Sequence, residues 1–305
     1  MESLLLYITA LLVAPFFPAV ILKTKAFFAG KQGPPMLVKY YNLIKLFRKG
    51  SVYSTSSSFV FKLGPTVSFC SALMVLLFFP IAGMPPVFSF HGDVIILFYL
   101  MGLGRFFTIL AALDTASPFE GMGAAREAYF STLAEATLFV VLILFYRING
   151  SLSFVEFFTG PQAINMLGNH GALLLLVVVA LFIVLLTENS RVPVDDPATH
   201  LELTMIHEVM ILDHSGPDLA LIEWGSFLKL FFYSSFITCL ILPFKTGSVF
   251  LNGVIFLVIL SLIYVAIGIT ESIIARFKMN LVPKFILTSF ALVFFAAILT
   301  MEYVK

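Results

Sequence analysis

Arg105, Glu135 and Lys229 each lie inside an apolar run of the chain. A charged side chain at the centre of a bilayer costs about 2.5–3.5 kcal/mol on insertion scales, so each is a functional candidate by default. A fourth concentration of titratable groups follows another apolar run, in TENSRVPVDDPATHLELTMIHEVMILDHSG (187–216). It gathers Glu188, Arg191, Asp195, Asp196, Glu202, Glu208 and Asp213 with His200, His207 and His214. Clustered acids and bases that perturb one another's proton affinity are what a proton path requires. Glu127, Glu223 and Glu271 mark the ends of apolar runs, and for them simple pairing with nearby cations accounts for their presence as well as function does.

The three histidines are seven residues apart. On a continuous helix they drift only about 20° per heptad and lie about 10.5 Å apart. Zinc–nitrogen bonds are about 2.0–2.1 Å, so no single ion reaches two of them, and no metal site is expected. What remains is a titratable edge for proton relay or partner docking, made of Asp196, His200, His207, Glu208 and Asp213. Asp196 is placed to cap a helix that opens at Pro197 and continues through Thr199 and His200. That helix should end near Gly216, where a solvated helix face accounts for His214 equally well.

Cys70 and Cys239 form no CxxC pair, so the chain cannot ligate an iron–sulfur cluster alone or attach a c-type haem. It has no dinucleotide fingerprint, phosphate loop or HExxH. No residue reads as catalytic, none as cofactor-binding and none as a metal ligand. If redox chemistry is involved, its cofactors sit on partners.

Positioning these groups falls to helices in a membrane. Mean hydropathy is +1.04 and only 11% of residues are charged, against about 25% in soluble domains. The fold class is all-α: a polytopic membrane protein, since barrels show short alternating segments of about ten residues. Eight spans of roughly 20 residues are expected, at about 3–22, 64–85, 93–113, 127–146, 171–188, 222–243, 251–271 and 284–303. The first lacks the basic start and cleavage site of a signal peptide and carries Pro15 and Pro18, so it is expected to be a retained anchor. Residues 1–305 read as a single membrane domain without internal repeats. A net charge of +1 argues against nucleic acid as a partner.

Basic residues orient the bundle. The first loop holds Lys23, Lys25, Lys31, Lys39, Lys45, Arg48, Lys49 and Lys62, and the same side carries Arg126, Arg191, Arg276, Lys278 and Lys284. The other side has Arg147, Lys245 and Lys305. The positive-inside rule then puts the long first loop in the cytoplasm and both termini outside. Within that loop, GPPMLVKYYNLIKLFRKGS reads as an amphipathic interfacial helix on anionic lipid. Its stripe is Leu37, Tyr40, Tyr41, Ile44 and Phe47, against Lys39, Asn42, Lys45 and Lys49. It is equally a docking surface for a cytoplasmic partner.

Glu188, Arg191, Pro193 and Asp195, followed by Glu202 and Leu203 and then DHSG (213–216), resemble a known pattern. In it a span ends in E-x-x-R-x-P-x-D, continues to E-L, and closes on an acid, an aromatic and S-G. It belongs to the membrane subunit shared by respiratory complex I, where it is subunit 1, and energy-converting nickel–iron hydrogenases. Arg126 and Glu135, nine apart, match its fourth span, and Gly33–Pro34 its first loop. LDTASPFEGMGAAREA (113–128), EWGSFLK (223–229) and ESIIAR (271–276) resemble the hydrogenase branch, including formate hydrogenlyase. The loop departs from the pattern: DPATH replaces an acidic A-E-A-E, and about three residues are added before DHSG.

The resemblance implies a membrane-anchor and coupling subunit of a multi-subunit redox complex. Hydrogenase-like large and small subunits and an iron–sulfur subunit would form a cytoplasmic arm carrying iron–sulfur clusters, with or without a nickel–iron centre. Antiporter-like membrane subunits would move protons or sodium. The coupling residues would be Arg105, Arg126, Glu127, Glu135, Glu188, Arg191, Asp195, Glu202 and Lys229. The alternatives are a quinone-site subunit of a complex I-type dehydrogenase and a stand-alone ion transporter. Against the transporter stand the absent inverted repeats.

Overall fold

The computed structural model describes residues 2–159, 164, 166, 171–196, 205–241 and 248–303. Apart from one isolated bridge between Ile81 and Met84, all regular structure among them is helical. Helix α1 (Glu2–Val13) runs through a 3-10 turn (Ala14–Phe16) into α2 (Phe17–Phe28). There follow α3 (Val38–Phe47), α4 (Phe59–Leu77), α5 (Asp93–Asp114), α6 (Pro118–Asn149) and the short α7 (Phe154–Phe158). The chain ends with α8 (Gly171–Glu188), α9 (His207–Met210), α10 (Gly216–Ile241), α11 (Val249–Ile273) and α12 (Val282–Tyr303).

Eight segments are long and apolar enough to cross a bilayer: the α1–α2 rod and helices α4, α5, α6, α8, α10, α11 and α12. The chain is a multi-pass membrane protein. Several boundaries differ from the sequence expectation; the first span runs on to Phe28 rather than ending near residue 22. The second span starts five residues earlier and stops at Leu77, because Pro80, Pro85 and Pro86 remove the N–H groups a continued helix needs. The fourth begins at Pro118, nine residues earlier than expected, since a proline is preorganised for the first helical position. The sixth opens at Gly216, so this glycine starts a span rather than ending the loop helix.

Helix α10 is the axis of the bundle, with 78% of its apolar window buried against 28–61% for the others. Around it Phe79, Phe145, Phe154, Phe158, Phe232 and Phe236 meet mostly edge-on, at ring separations such as 5.2 Å for Phe79 and Phe232. Edge-to-face rings are worth about 0.5–1.5 kcal/mol per pair beyond area burial. Two glycines bring site-bearing elements together. A Cβ at Gly104 would sit 2.2 Å from Ser71 Oγ, so its absence lets α5 lie close on α4. A Cβ at Gly123 would sit 2.2 Å from Val209 and 2.9 Å from the Ile206 carbonyl, so α9 packs directly on α6.

The interfacial helix forms, with one face on the bundle and the other outward. Leu43 is buried and Leu46 partly so, against Ala220, Trp224 and Phe227 of α10. Leu37, Tyr41, Ile44 and Phe47 are exposed. Four of the five stripe residues thus face outward, while Tyr40 is half-buried and donates its hydroxyl to the Leu12 carbonyl. Lys39 is not on a solvated face; its ammonium sits over the Phe227 ring at 5.4 Å, a cation–π contact.

Candidate functional site

The site begins where α8 ends. Ser190 adopts φ +49°, Arg191 N–H bonds the Leu186 carbonyl at 2.8 Å and Ser190 N–H bonds that of Thr187 at 3.2 Å. This is a Schellman cap with serine at the left-handed position. It stops the helix one residue after Glu188 and turns Arg191 back toward the bundle. Glu188 is thereby left on the last turn, its carboxylate fully buried.

Two cations converge on that carboxylate. Arg105 of α5 donates to Oε2, and Lys229 Nζ of α10 lies 3.0 Å from the same oxygen. Arg105 also donates to Glu135 of α6 through its other terminal nitrogen. One guanidinium, itself 9% exposed, thus bridges a buried acid and an acid that is 39% exposed. The fixed fork of arginine suits this double contact. Arg105, Glu135, Glu188 and Lys229 together carry no net charge, which is how four ionisable groups are tolerated at membrane depth.

A second cluster lies toward the loops. Glu271 of α11 takes a 3.4 Å hydrogen bond from Arg191 and lies 2.9 Å from Lys25 Nζ of α2, a pair outside hydrogen-bond geometry. Asp195 pairs with Arg276 at 2.9 Å. Its second oxygen accepts the Ile206 and His207 N–H groups at 2.9 and 3.2 Å, and its first accepts the Asp196 N–H. A carboxylate at the start of α9 satisfies donors that a helix end leaves open. Asp195 therefore holds both ends of the loop together.

Members of both clusters line one open cavity of about 380 Å³. Of the residues expected from the sequence, Arg105, Glu127, Glu188, Arg191, Asp195, His207, Glu208 and Lys229 face it. Glu135 instead faces a separate apolar groove of about 610 Å³ between α5 and α6, which also exposes Arg105 and Tyr233. Arg126 is not brought to the cavity; it donates to the Met205 carbonyl at 3.0 Å and so fastens the loop to α6. Asp196 and Asp213 also lie outside the cavity lining. Glu202, Leu203, His200, Pro197 and Thr199 fall outside the described residues, as do Lys245 and Lys305.

The single helical edge of histidines does not form across its described part. The helix that carries His207 is only four residues long, and Ile211–Asp213 turn away before His214. His214 is not solvated. It is 5% exposed and stacked on Phe61 at 4.0 Å and 9°. Burial pushes its imidazole down to about 4, against the opposing pull of Asp218 and Asp213.

The sequence reading missed Lys25, Lys39 and Arg276, which looked like rim charges, and left Glu223 and Glu271 at the margin, although all but Arg276 line the cavity. It also missed Tyr233 and Glu120. Glu120 is 1% exposed and accepts the Asp213 N–H at 3.2 Å, tying α6 to the segment before α10. At the far end, buried Asp93 is a fastener as well, accepting from Phe154 N–H and the Ser153 hydroxyl. Among the described residues no cluster of three His, Cys, Asp or Glu side chains could hold a metal ion.

An eight-span bundle whose buried ion pairs line a cavity at the loop-rich end defines a class of membrane protein. The chain belongs to the NADH dehydrogenase family, that of complex I subunit 1, whose model matches residues 1–302. It is 31% identical to Hydrogenase-4 component C of Escherichia coli over 278 residues, covering 89% of this chain and 86% of that one. It is 28% identical to Formate hydrogenlyase subunit 4 of the same organism, over 93% of each chain. NADH-ubiquinone oxidoreductase chain 1 of Candida albicans is 24% identical over 83% of this chain and 77% of that one. A chain in the structure of the membrane-bound sulfane sulfur reductase, an archaeal respiratory membrane complex, shares the fold. Its TM-score is 0.81 with 21% identity over 98% of both chains.

Proposed function

We propose that this chain is the membrane-anchor and coupling subunit of a multi-subunit, hydrogenase-like redox complex. Electron transfer occurs in a cytoplasmic arm made by hydrogenase-like large and small subunits and an iron–sulfur subunit, whose clusters are the complex's cofactors. The loop-rich end receives that arm in the cytoplasm and both termini lie outside, a reading supported by the basic-residue asymmetry. The observation that carries the reading is Arg105, which holds the cavity acid Glu188 and the groove acid Glu135 at once. A change of charge in the cavity is thereby felt at the lateral face, where antiporter-like membrane subunits would sit and move protons or sodium.

A proton arriving at Glu188 weakens its hold on Arg105 and Lys229 and strengthens the competing claim of Glu135. This gives the complex a two-state element whose balance follows redox events in the arm. The test is the purified complex in proteoliposomes carrying Glu135→Gln. It should assemble and still oxidise an artificial low-potential donor, yet move fewer ions per electron. Wild-type ion yield in an assembled Glu135→Gln complex would sink the coupling role.

A second reading has its own observation. Pro18, Leu22, Ala72, Val75 and Met101 give the 380 Å³ cavity an apolar wall beside its charges, and pockets of about 300–1,000 Å³ take small apolar ligands. A quinone-site subunit would oxidise the arm's clusters with a soluble quinone analogue, and Ala72→Trp would block that reaction.

A further inference from the structure

Arg105 joins Glu188 to Glu135 electrostatically, but it cannot carry a proton between them. A guanidinium has five donors, no acceptor, and is not deprotonated in proteins. Any proton that crosses from the cavity to the groove needs a group that both accepts and donates. Tyr233 is such a group. It stands one turn beyond Lys229 on the same face of α10, and its side chain is buried yet lines the groove with Glu135 and Arg105.

Two buried oxygens in this region lack a hydrogen-bond partner: the Tyr233 hydroxyl and Glu188 Oε1. The two side chains lie within interaction range of each other, and Tyr233 is also within electrostatic reach of Glu135. Buried polar groups are nearly always satisfied, so an adjacent unsatisfied hydroxyl and carboxylate oxygen call for an explanation. Oε2 of Glu188 is held by Arg105 and Lys229, which leaves Oε1 as the oxygen able to take and release a proton. Glu135 lies 17 residues from the start of α6 and Tyr233 lies 17 from the start of α10, so the groups sit at comparable depth.

We propose that Tyr233 is the hydroxyl through which a proton passes between Glu188 and Glu135. The step rests on the coupling role proposed above. Protonated Glu188 gives its Oε1 proton to the tyrosine oxygen while the phenolic proton leaves for the Glu135 carboxylate. One O–H bond breaks on Glu188, one forms on Glu135, and the tyrosine ends neutral. No electron moves. Arg105 touches both carboxylates and stabilises whichever of them is ionised. Rotation of the hydroxyl back toward Glu188 resets the path.

The experiment uses the whole complex in proteoliposomes, with reduced methyl viologen as the donor and ion uptake and donor oxidation recorded together. Tyr233→Phe keeps the ring, which packs against Phe232 at 5.3 Å, and removes only the hydroxyl. Ion uptake per electron should be largely lost while donor oxidation continues. A wild-type ratio in Tyr233→Phe, with a lowered ratio in Glu135→Gln, overturns the relay and leaves the coupling role standing. Wild-type ratios in both variants overturn the coupling role and the relay with it. Should Tyr233→Phe fail to assemble, 3-fluorotyrosine at 233 decides, because it retains the hydroxyl and the packing while making the phenol more acidic. An altered ion-to-electron ratio or solvent isotope effect supports the relay, and wild-type values for both refute it.

Discussion

Lys229 Nζ lies 3.0 Å from Glu188 Oε2, and Arg105 binds the same oxygen from another helix. One buried carboxylate thus neutralises parts of two cations, which makes the three residues unequal. Removing Glu188 strands Lys229 and leaves Arg105 with the more exposed Glu135 alone, whereas removing Lys229 leaves Glu188 with Arg105. Breaking a buried pair from one side costs about 3–5 kcal/mol. Glu188→Ala should therefore reach that range, measured by thermal melting of the detergent-solubilised complex, and Lys229→Met should fall well below it. The double variant Glu188→Ala/Lys229→Met should be less destabilised than the two singles predict together. Strict additivity would show that the pair is not coupled.

Asp195 makes a different kind of contact, holding Arg276 with one oxygen and two backbone N–H groups with the other. Asp195→Ala leaves both donors and Arg276 without this acceptor, at about 1–3 kcal/mol for each buried unsatisfied group. Amide exchange across 205–210 should accelerate strongly. Arg276→Ala should have a smaller effect, since the capping oxygen stays in place. Equal exchange in the two variants would mean that the ion pair, not the cap, secures the loop.

The bundle was legible because hydropathy follows from composition alone: all eight spans were expected, and α8 falls at its expected limits. Arg105, Glu135 and Lys229 stood out for the same reason, as charges in apolar runs. The second cluster was harder to see. Lys25, Glu271 and Arg276 sit at helix ends, where a charge is ordinary, and only packing shows Glu271 between Lys25 and Arg191. Tyr233 was hidden in an aromatic run whose other members are core. The histidine edge was overread, since heptad spacing aligns residues only on one continuous helix. Asp195 and Gly123 place α9 against α6 as a single turn instead. Local periodicity did not report that tertiary constraint.

Orientation follows from charge and is open to direct labelling. Thirteen basic residues are expected on one side, eight in the first loop and five elsewhere, against three on the other. Ser54 and Ser248 are exposed and lie at opposite ends of the bundle. A cysteine at 54 should react with an impermeant maleimide only from the cytoplasmic face, and one at 248 only from outside. The reverse pattern would invert the sidedness of the cavity and of the docked arm.

His214 should make the loop-end joint sensitive to acid. Its ring is stacked on Phe61, and beside it Ser215 accepts a hydrogen bond from Val52 N–H at 3.0 Å, joining the first loop to the start of α10. Burial holds its proton affinity at about 4, below an ordinary value near 6.5, while Asp213 and Asp218 pull the other way. Between those two values the opened segment binds a proton that the closed one does not, so closing becomes less favourable as pH falls. The loss starts near 6.5, is complete by about pH 4, and amounts to at most about 3 kcal/mol. Above pH 7 this group contributes no pH dependence. Amide exchange at 50–62 and 211–216, corrected for intrinsic rates, should show protection falling between pH 7.5 and 5. His214→Phe keeps a stacked ring without a titrating nitrogen, so its protection should stay level over the same range. Equal pH slopes in the two proteins would show that His214 is not the group responsible.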